Sequence, residues 1–177
     1  MVKPIVLAIG AIPAIVAILI AVPLITKPDI PFSAANPNDT IEIEYTKHQL
    51  KKISFGVTER EGSQKTEILR IKNNGEMKYT VTKEGYLQPE IKSELSEEKI
   101  RKLTALIKET GFIEIPSESF PVMDNVTDYK KSNVKITLNG QIKQIHWPEQ
   151  NATEKFIPPI ITMVESQLDQ LIEQISE

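Results

Sequence analysis

From Pro4 to Thr26 the chain reads PIVLAIGAIPAIVAILIAVPLIT, an apolar run without one charged side chain. As a helix rising ~1.5 Å per residue it extends roughly 33 Å, against ~30 Å of bilayer hydrocarbon. The expected organisation is therefore a transmembrane anchor over residues 1–26, a Pro-rich linker over 27–40 and a domain over 41–177. A secretory signal has a shorter apolar region, about 7–15 residues, so the length favours a retained anchor. Cleavage near Ser33, Ala34 and Ala35 is the alternative. Pro13 and Pro23 are tolerated in a span where neighbouring helices or waters satisfy the freed carbonyls. Gly10, Ala14, Ala17 and Ala21 recur at spacings of three and four, which places small side chains on one face and lets a second span approach closely.

Orientation follows from charge. Lys3 precedes the run, whereas Lys27 is offset by Asp29, so the N-terminus is expected in the cytoplasm and the C-terminal domain outside it. Three N-x-S/T acceptors, at Asn38, Asn125 and Asn151, fit an exported and glycosylated domain.

With 177 residues, 40% hydrophobic and 25% charged, the chain can bury one modest core besides this segment. It contains no cysteine, which excludes thiolate nucleophiles, thiolate zinc sites and iron–sulfur clusters. A net charge of -3 gives no electrostatic footing for nucleic acid.

Beyond the linker the periodicity changes to two. Ile41, Ile43 and Tyr45 alternate with Glu42 and Glu44, and Ile53, Phe55 and Val57 alternate in a second strand. Glu59 to Ser63 reads as a loop before a third strand from about Thr66 to Lys72. Asn73-Asn74-Gly75 predicts a type I′ hairpin turn into a fourth strand carrying Met77, Tyr79 and Val81. A helix follows from Ser96 to Thr110. Ser96 caps it, Glu97 and Glu98 favour its positive end, Ile100, Leu103, Leu106 and Ile107 form its apolar stripe, and Gly111 stops it. Phe112 to Pro116 reads as extended, and Ser117 to Asp128 as a long loop.

A second hairpin spans about Lys130 to Trp147 around Asn139-Gly140. Its return arm, QIKQIHW, does not alternate cleanly: either Ile145 and Trp147 or Ile142 and His146 face the core. The chain closes with a helix from about Pro159, whose stripe is Ile161, Val164, Leu168, Leu171 and Ile175, joined by Ile160 and Ile172. The order ββββ-α-ββ-α predicts an α+β fold, a mainly antiparallel sheet of about six strands with both helices on one face.

The stretch LSEEKIRKLTALIKETGFIEIP, followed by NVKITLNGQIKQI and a closing amphipathic helix, resembles a diffuse group of small exported or lipid-anchored domains that includes the emfourin-type inhibitors of metalloproteases. The likeness covers about residues 50–176. It implies the same strand–helix–hairpin–helix fold and, for function, protein binding with protease inhibition as one form. The Cys-rich strand of some relatives is missing here, and Ser54-Phe55-Gly56 stands where the inhibitors carry a glycine-rich strand, so no functional residue is carried over.

Motifs for chemistry are sparse. His48 and His146 are the only histidines and do not have metal-ligand spacing. Nucleophile elbows, phosphate-binding glycine loops and H-E-x-x-H are absent from the sequence, so neither catalytic residues nor a cofactor are expected. Charge segregation is the stronger signal. Lys130, Lys131, Lys135 and Lys143 crowd the second hairpin, while Glu165, Asp169 and Glu173 recur every four residues on the last helix. Either the two blocks satisfy each other across the domain, or each is left for a protein partner. The expected function is a non-enzymatic, membrane-anchored module that binds another protein; the alternative is an accessory subunit held in a membrane complex through its span.

Overall fold

Ile41 opens a strand that does not stop where its hydrophobic alternation does. A computed structural model describes residues 34–56 and 58–176, which fall within one compact unit, Phe32–Glu177. In it β1 runs unbroken over Ile41–Phe55. No glycine, proline or Asn-Gly pair interrupts TKHQLKK, and neighbouring strands supply ladder partners on both sides as far as Lys51. Two expected strands are thus one. The expected Glu59 to Ser63 loop is likewise part of β2, Thr58–Ile71. A bulge opposite Gln49 and Leu50, where β2 carries the additional Gln64, breaks the register between these two strands.

β3 (Glu76–Lys83), β4 (Tyr86–Leu87), β5 (Ile91–Glu94), β6 (Asp128–Leu138) and β7 (Gln141–Pro148) complete a seven-stranded sheet. Its order is β4-β3-β2-β1-β6-β7, with β5 also on β3, and every pairing is antiparallel. The fold class is α+β. The strand count is seven instead of six because the merger into β1 removes one expected strand while β4 and β5, short edge pieces without alternation, add two. Glu84 and Gly85 both have positive φ, 52° and 84°, and form the tight turn into β4 although glutamate is not a turn signal.

The two Asn-containing turns resolve differently. Asn139 and Gly140 have φ of 50° and 82°, as a two-residue I′ turn requires. That turn fixes the register of the return arm. Val134 opposes Ile145 and Ser132 opposes Trp147, so Ile145 and Trp147 face the core while Ile142 lies on the other face. At Asn73-Asn74-Gly75 only Gly75 is left-handed, φ 88°, and the loop is a three-residue turn with a glycine bulge instead of type I′. The asparagines use their side chains: Asn73 Oδ1 accepts from the Ile41 amide at 2.9 Å, and Asn74 Oδ1 from the Glu76 amide at 3.1 Å.

α1 is Glu97–Glu109, capped by Ser96, whose hydroxyl oxygen accepts from the Lys99 amide at 3.3 Å. Gly111, φ 63°, ends it, and Phe112–Glu114 is a 3-10 turn where an extended exit was expected. α2 is Pro159–Ser176 and buries Ile161, Val164, Leu168, Ile172 and Ile175. Both helices lie over the sheet face that carries Ile43, Tyr45, Leu69, Ile71, Met77, Val134, Ile136, Ile145 and Trp147, all buried. Lys99 Nζ donates to Gln174 Oε1 at 2.8 Å and joins the two helices. The alternate positions on the other face, Glu42, Glu44, Arg70, Lys78, Lys135, Gln144 and His146, are exposed or half-buried.

One part of the expected fold is corrected. No helix among the described residues is long and apolar enough to cross a membrane. α1 has 13 residues and is too short. α2 has 18, but Glu165, Asp169 and Glu173 interrupt it. The expected membrane helix, and the single-pass localisation with the domain outside the cytoplasm, rested on residues 4–26, including Gly10, Ala14, Ala17 and Ala21; these lie outside the described residues. The single-pass placement is therefore not carried forward.

The end of the expected linker is docked. Ala35 is buried, and Asp39 bonds Lys108 Nζ and Asn139 Nδ2, each at 2.8 Å. Asp39 is held below the usual carboxylate range: burial pushes its pKa up, but bonds from Lys108, Asn139 and the Asn36 amide outweigh that.

Candidate functional site

Two polar surfaces separate at the sheet. The first lies beneath α2, where the helical repeat of four brings Glu165 and Asp169 over β1, β6 and β7. Glu165 Oε1 accepts from Ser132 Oγ at 2.6 Å, and its Oε2 accepts from Trp147 Nε1 at 3.1 Å. Tyr45 OH donates to Asp169 Oδ1 at 2.9 Å, and Lys47 Nζ reaches both oxygens of Asp169 at 2.9 and 3.0 Å. Burial, followed by the two nearby carboxylates, pushes the Tyr45 phenol far above its ordinary range, so it remains a donor. Every donor here has an acceptor, and the arrangement clamps helix to sheet.

The sequence-derived charge blocks therefore do not meet. Glu165 and Asp169 take their partners from Tyr45, Lys47, Ser132 and Trp147, and none of these belongs to the lysine block. Glu173 is exposed on α2. The lysines are divided between the two faces. Lys131 and Lys135 share the open face with His48 and Glu44, which they oppose in register. Lys143 lies on the helix side, where its ammonium donates to the Ile115 carbonyl and to Ser117 Oγ. Lys130 alternates to that side too, and its amide donates to Glu149 Oε1 at 3.1 Å. Asn38, Asn125 and Asn151 are all exposed.

The second surface is the open sheet face. At one end a groove of about 330 Å³ is floored by Glu42, Glu44, Arg70, Lys72, Lys78 and Lys135, among others. Its charges alternate: Arg70 Nε to Glu44 Oε2 is 2.8 Å, while Lys72 and Lys78 bracket Glu76 at 2.8 and 3.0 Å. Bonds from those two lysines hold Glu76 down to about 2. At the other end the face carries Thr46, His48, Thr66, Lys131, Asn133, Gln144 and His146, with His48 between Thr66 and Lys131 in register. Sequence reading missed this grouping because its members come from four strands far apart in the chain.

Among the described residues, no group of three His, Asp or Glu side chains could hold a metal ion. A concavity of about 610 Å³ beside the N-terminus of α1 is lined by Asn73, Asn74, Glu94, Ser96 and Glu97, among others. No family model matches the chain, and no curated protein matches its sequence.

Acid should weaken the fold through the depressed carboxylates. Glu76 carries stabilisation that is complete above its ordinary value of 4.5 and is lost as pH falls toward about 2. Asp39 and Glu67 are shifted in the same direction. The melting temperature is expected to decline progressively below about pH 4.5, and Glu76→Gln should flatten part of that decline. Thermal scans at stepped pH check this; an unchanged slope in the variant would contradict it.

Proposed function

We propose that this protein is a non-catalytic protein-binding module whose contact surface is the open face of its sheet. One observation carries the reading: both helices cover the same face, leaving a multi-strand surface rich in charged and hydrogen-bonding side chains. A core-forming role does not explain those side chains. Such a surface is broad and polar, and its groove is lined chiefly by charged side chains, which suits another protein better than the apolar enclosure of a small ligand. The resemblance to emfourin-type inhibitors adds a metalloprotease as one candidate partner.

The test is affinity capture with the full chain, quantified against a variant whose open face is obstructed by Thr137→Arg and Gln144→Arg. Both positions are solvent-accessible on that face, so stability should change by no more than about 0.5 kcal/mol per site. Loss of a stoichiometric partner from the variant supports the reading. Retention of that partner, or substrate turnover by the purified chain, overturns it.

A further inference from the structure

We infer that the end of the open face built from His48, Lys131 and His146 is a proton-linked docking site for an acidic peptide segment of a partner protein. This rests on the reading of the open face as the binding surface, and names the chemistry it selects.

The register brings the three together. His48 on β1 directly opposes Lys131 on β6, and His146 on β7 opposes Asn133, the next residue of β6 on the same face. With strands ~4.8 Å apart and ~3.4 Å of rise per residue, the two histidine Cα atoms lie ~12 Å apart with Lys131 between them. Same-face side chains of an extended peptide recur every ~6.8 Å, so three alternate carboxylates cover that span.

The hydrogen-bond chain beside His48 fixes its tautomer. Ser63 Oγ donates to the Lys65 carbonyl at 3.1 Å, so it accepts from Thr66 Oγ1 at 2.9 Å. With its proton used there, Thr66 Oγ1 accepts from His48 Nδ1 at 3.0 Å. Neutral His48 therefore carries its proton on Nδ1, and Nε2 keeps the lone pair that takes up a second proton. His146 is exposed, and its ring makes no hydrogen bond among the described residues.

No acid opposes these groups on the face. From β1 and β2 they meet Thr46, Leu50, Thr66 and Ile68, and from β6 and β7 Tyr129, Asn133, Gln144 and Pro148. The nearest acids along the face are engaged, Glu44 by Arg70 and Glu61 by the Tyr129 hydroxyl at 2.7 Å. Glu149, past the end of β7, accepts from the Lys130 amide. Among the described residues Lys131, His48 and His146 form no ion pair with an acid, in a chain whose net charge is -3. Burial and then the Lys131 charge hold both histidines below their usual value. A carboxylate docked beside the rings attracts their charged form and offsets the Lys131 charge, so binding and proton uptake reinforce each other.

The test titrates a hexaglutamate peptide into the full chain at pH 5.5 and 7.5 while following the ring resonances of His48 and His146. The expected result is a Kd at least tenfold lower at pH 5.5, with both titration midpoints moved upward by the peptide. Lys131→Ala should abolish the binding and Lys131→Arg should retain it. Absence of peptide binding, a pH-independent Kd, or indifference to Lys131→Ala overturns the inference. Inorganic phosphate binding as tightly as the peptide overturns it too, by assigning the patch to small anions. The underlying reading is judged separately: if the Thr137→Arg/Gln144→Arg variant still loses its captured partner, the open face stands as the binding surface while this subsite falls.

Discussion

Replacing Gly75 with alanine is expected to destabilise the domain by about 2–4 kcal/mol. Two independent costs add. Gly75 sits at φ 88°, where an L side chain costs ~1–2 kcal/mol. A Cβ there would also lie 2.6 Å from the Leu95 carbonyl oxygen and 3.2 Å from Ile100 Cδ1. The first neighbour is backbone, held in place because Gly75 O accepts from the Leu95 amide at 2.9 Å, so it cannot yield cheaply. Chemical denaturation should show the loss in the midpoint without a large change in slope. Gly140→Ala provides the control. Its φ is 82°, but a Cβ would meet nothing within 4 Å, so only the conformational cost should appear. Equal losses at the two sites would contradict the close-approach argument.

The second large effect belongs to Glu165. Glu165→Ala should cost about 2–4 kcal/mol, because it strands the Trp147 indole N–H and the Ser132 hydroxyl, both in buried residues. At roughly 2–4 °C per kcal/mol for a domain of this size, the melting temperature should fall by roughly 4–16 °C. Glu165→Gln should recover only part. The two donors use different carboxylate oxygens, and an amide has one oxygen to offer. Differential scanning calorimetry of the three proteins checks the order wild type, Gln, Ala. Glu173→Ala, on the exposed side of α2, should be nearly silent.

That contrast between Glu165 and Glu173 marks the boundary of what the sequence makes legible. Helical spacing identified the apolar stripe of α2, except that Ile172 is buried where Leu171 was expected and Leu171 is half-buried, and it identified the equal spacing of its acids. It does not say that Trp147, Ser132 and Tyr45 would be waiting on three strands to receive two of them, since cross-strand register is a tertiary property. Hairpin alternation and the Asn139-Gly140 turn were readable, and the turn geometry settles the return arm in favour of Ile145 and Trp147. The β1–β2 ribbon was not readable, because polar residues such as Lys47, His48 and Gln49 follow no hydrophobic period yet hydrogen-bond between strands as well as apolar ones do. β4 and β5 escaped for a related reason: four residues or fewer, all exposed, carry no period. The histidine–lysine patch escaped because its residues converge only after β6 has paired with β1. The single-pass expectation came from hydropathy over residues 4–26 alone, outside the described residues.

The proposal that the open face meets a protein partner is tested most directly by site-specific photo-cross-linking of the full chain in its native cells. A benzophenone side chain is placed singly at Ile142 or Gln144 on the open face, and at Gln167 or Gln170 on the outward side of α2. Discrete adducts with a second protein from the open-face positions, and none from α2, are the predicted result. Adducts only from α2, or no adduct from any position, would contradict the account.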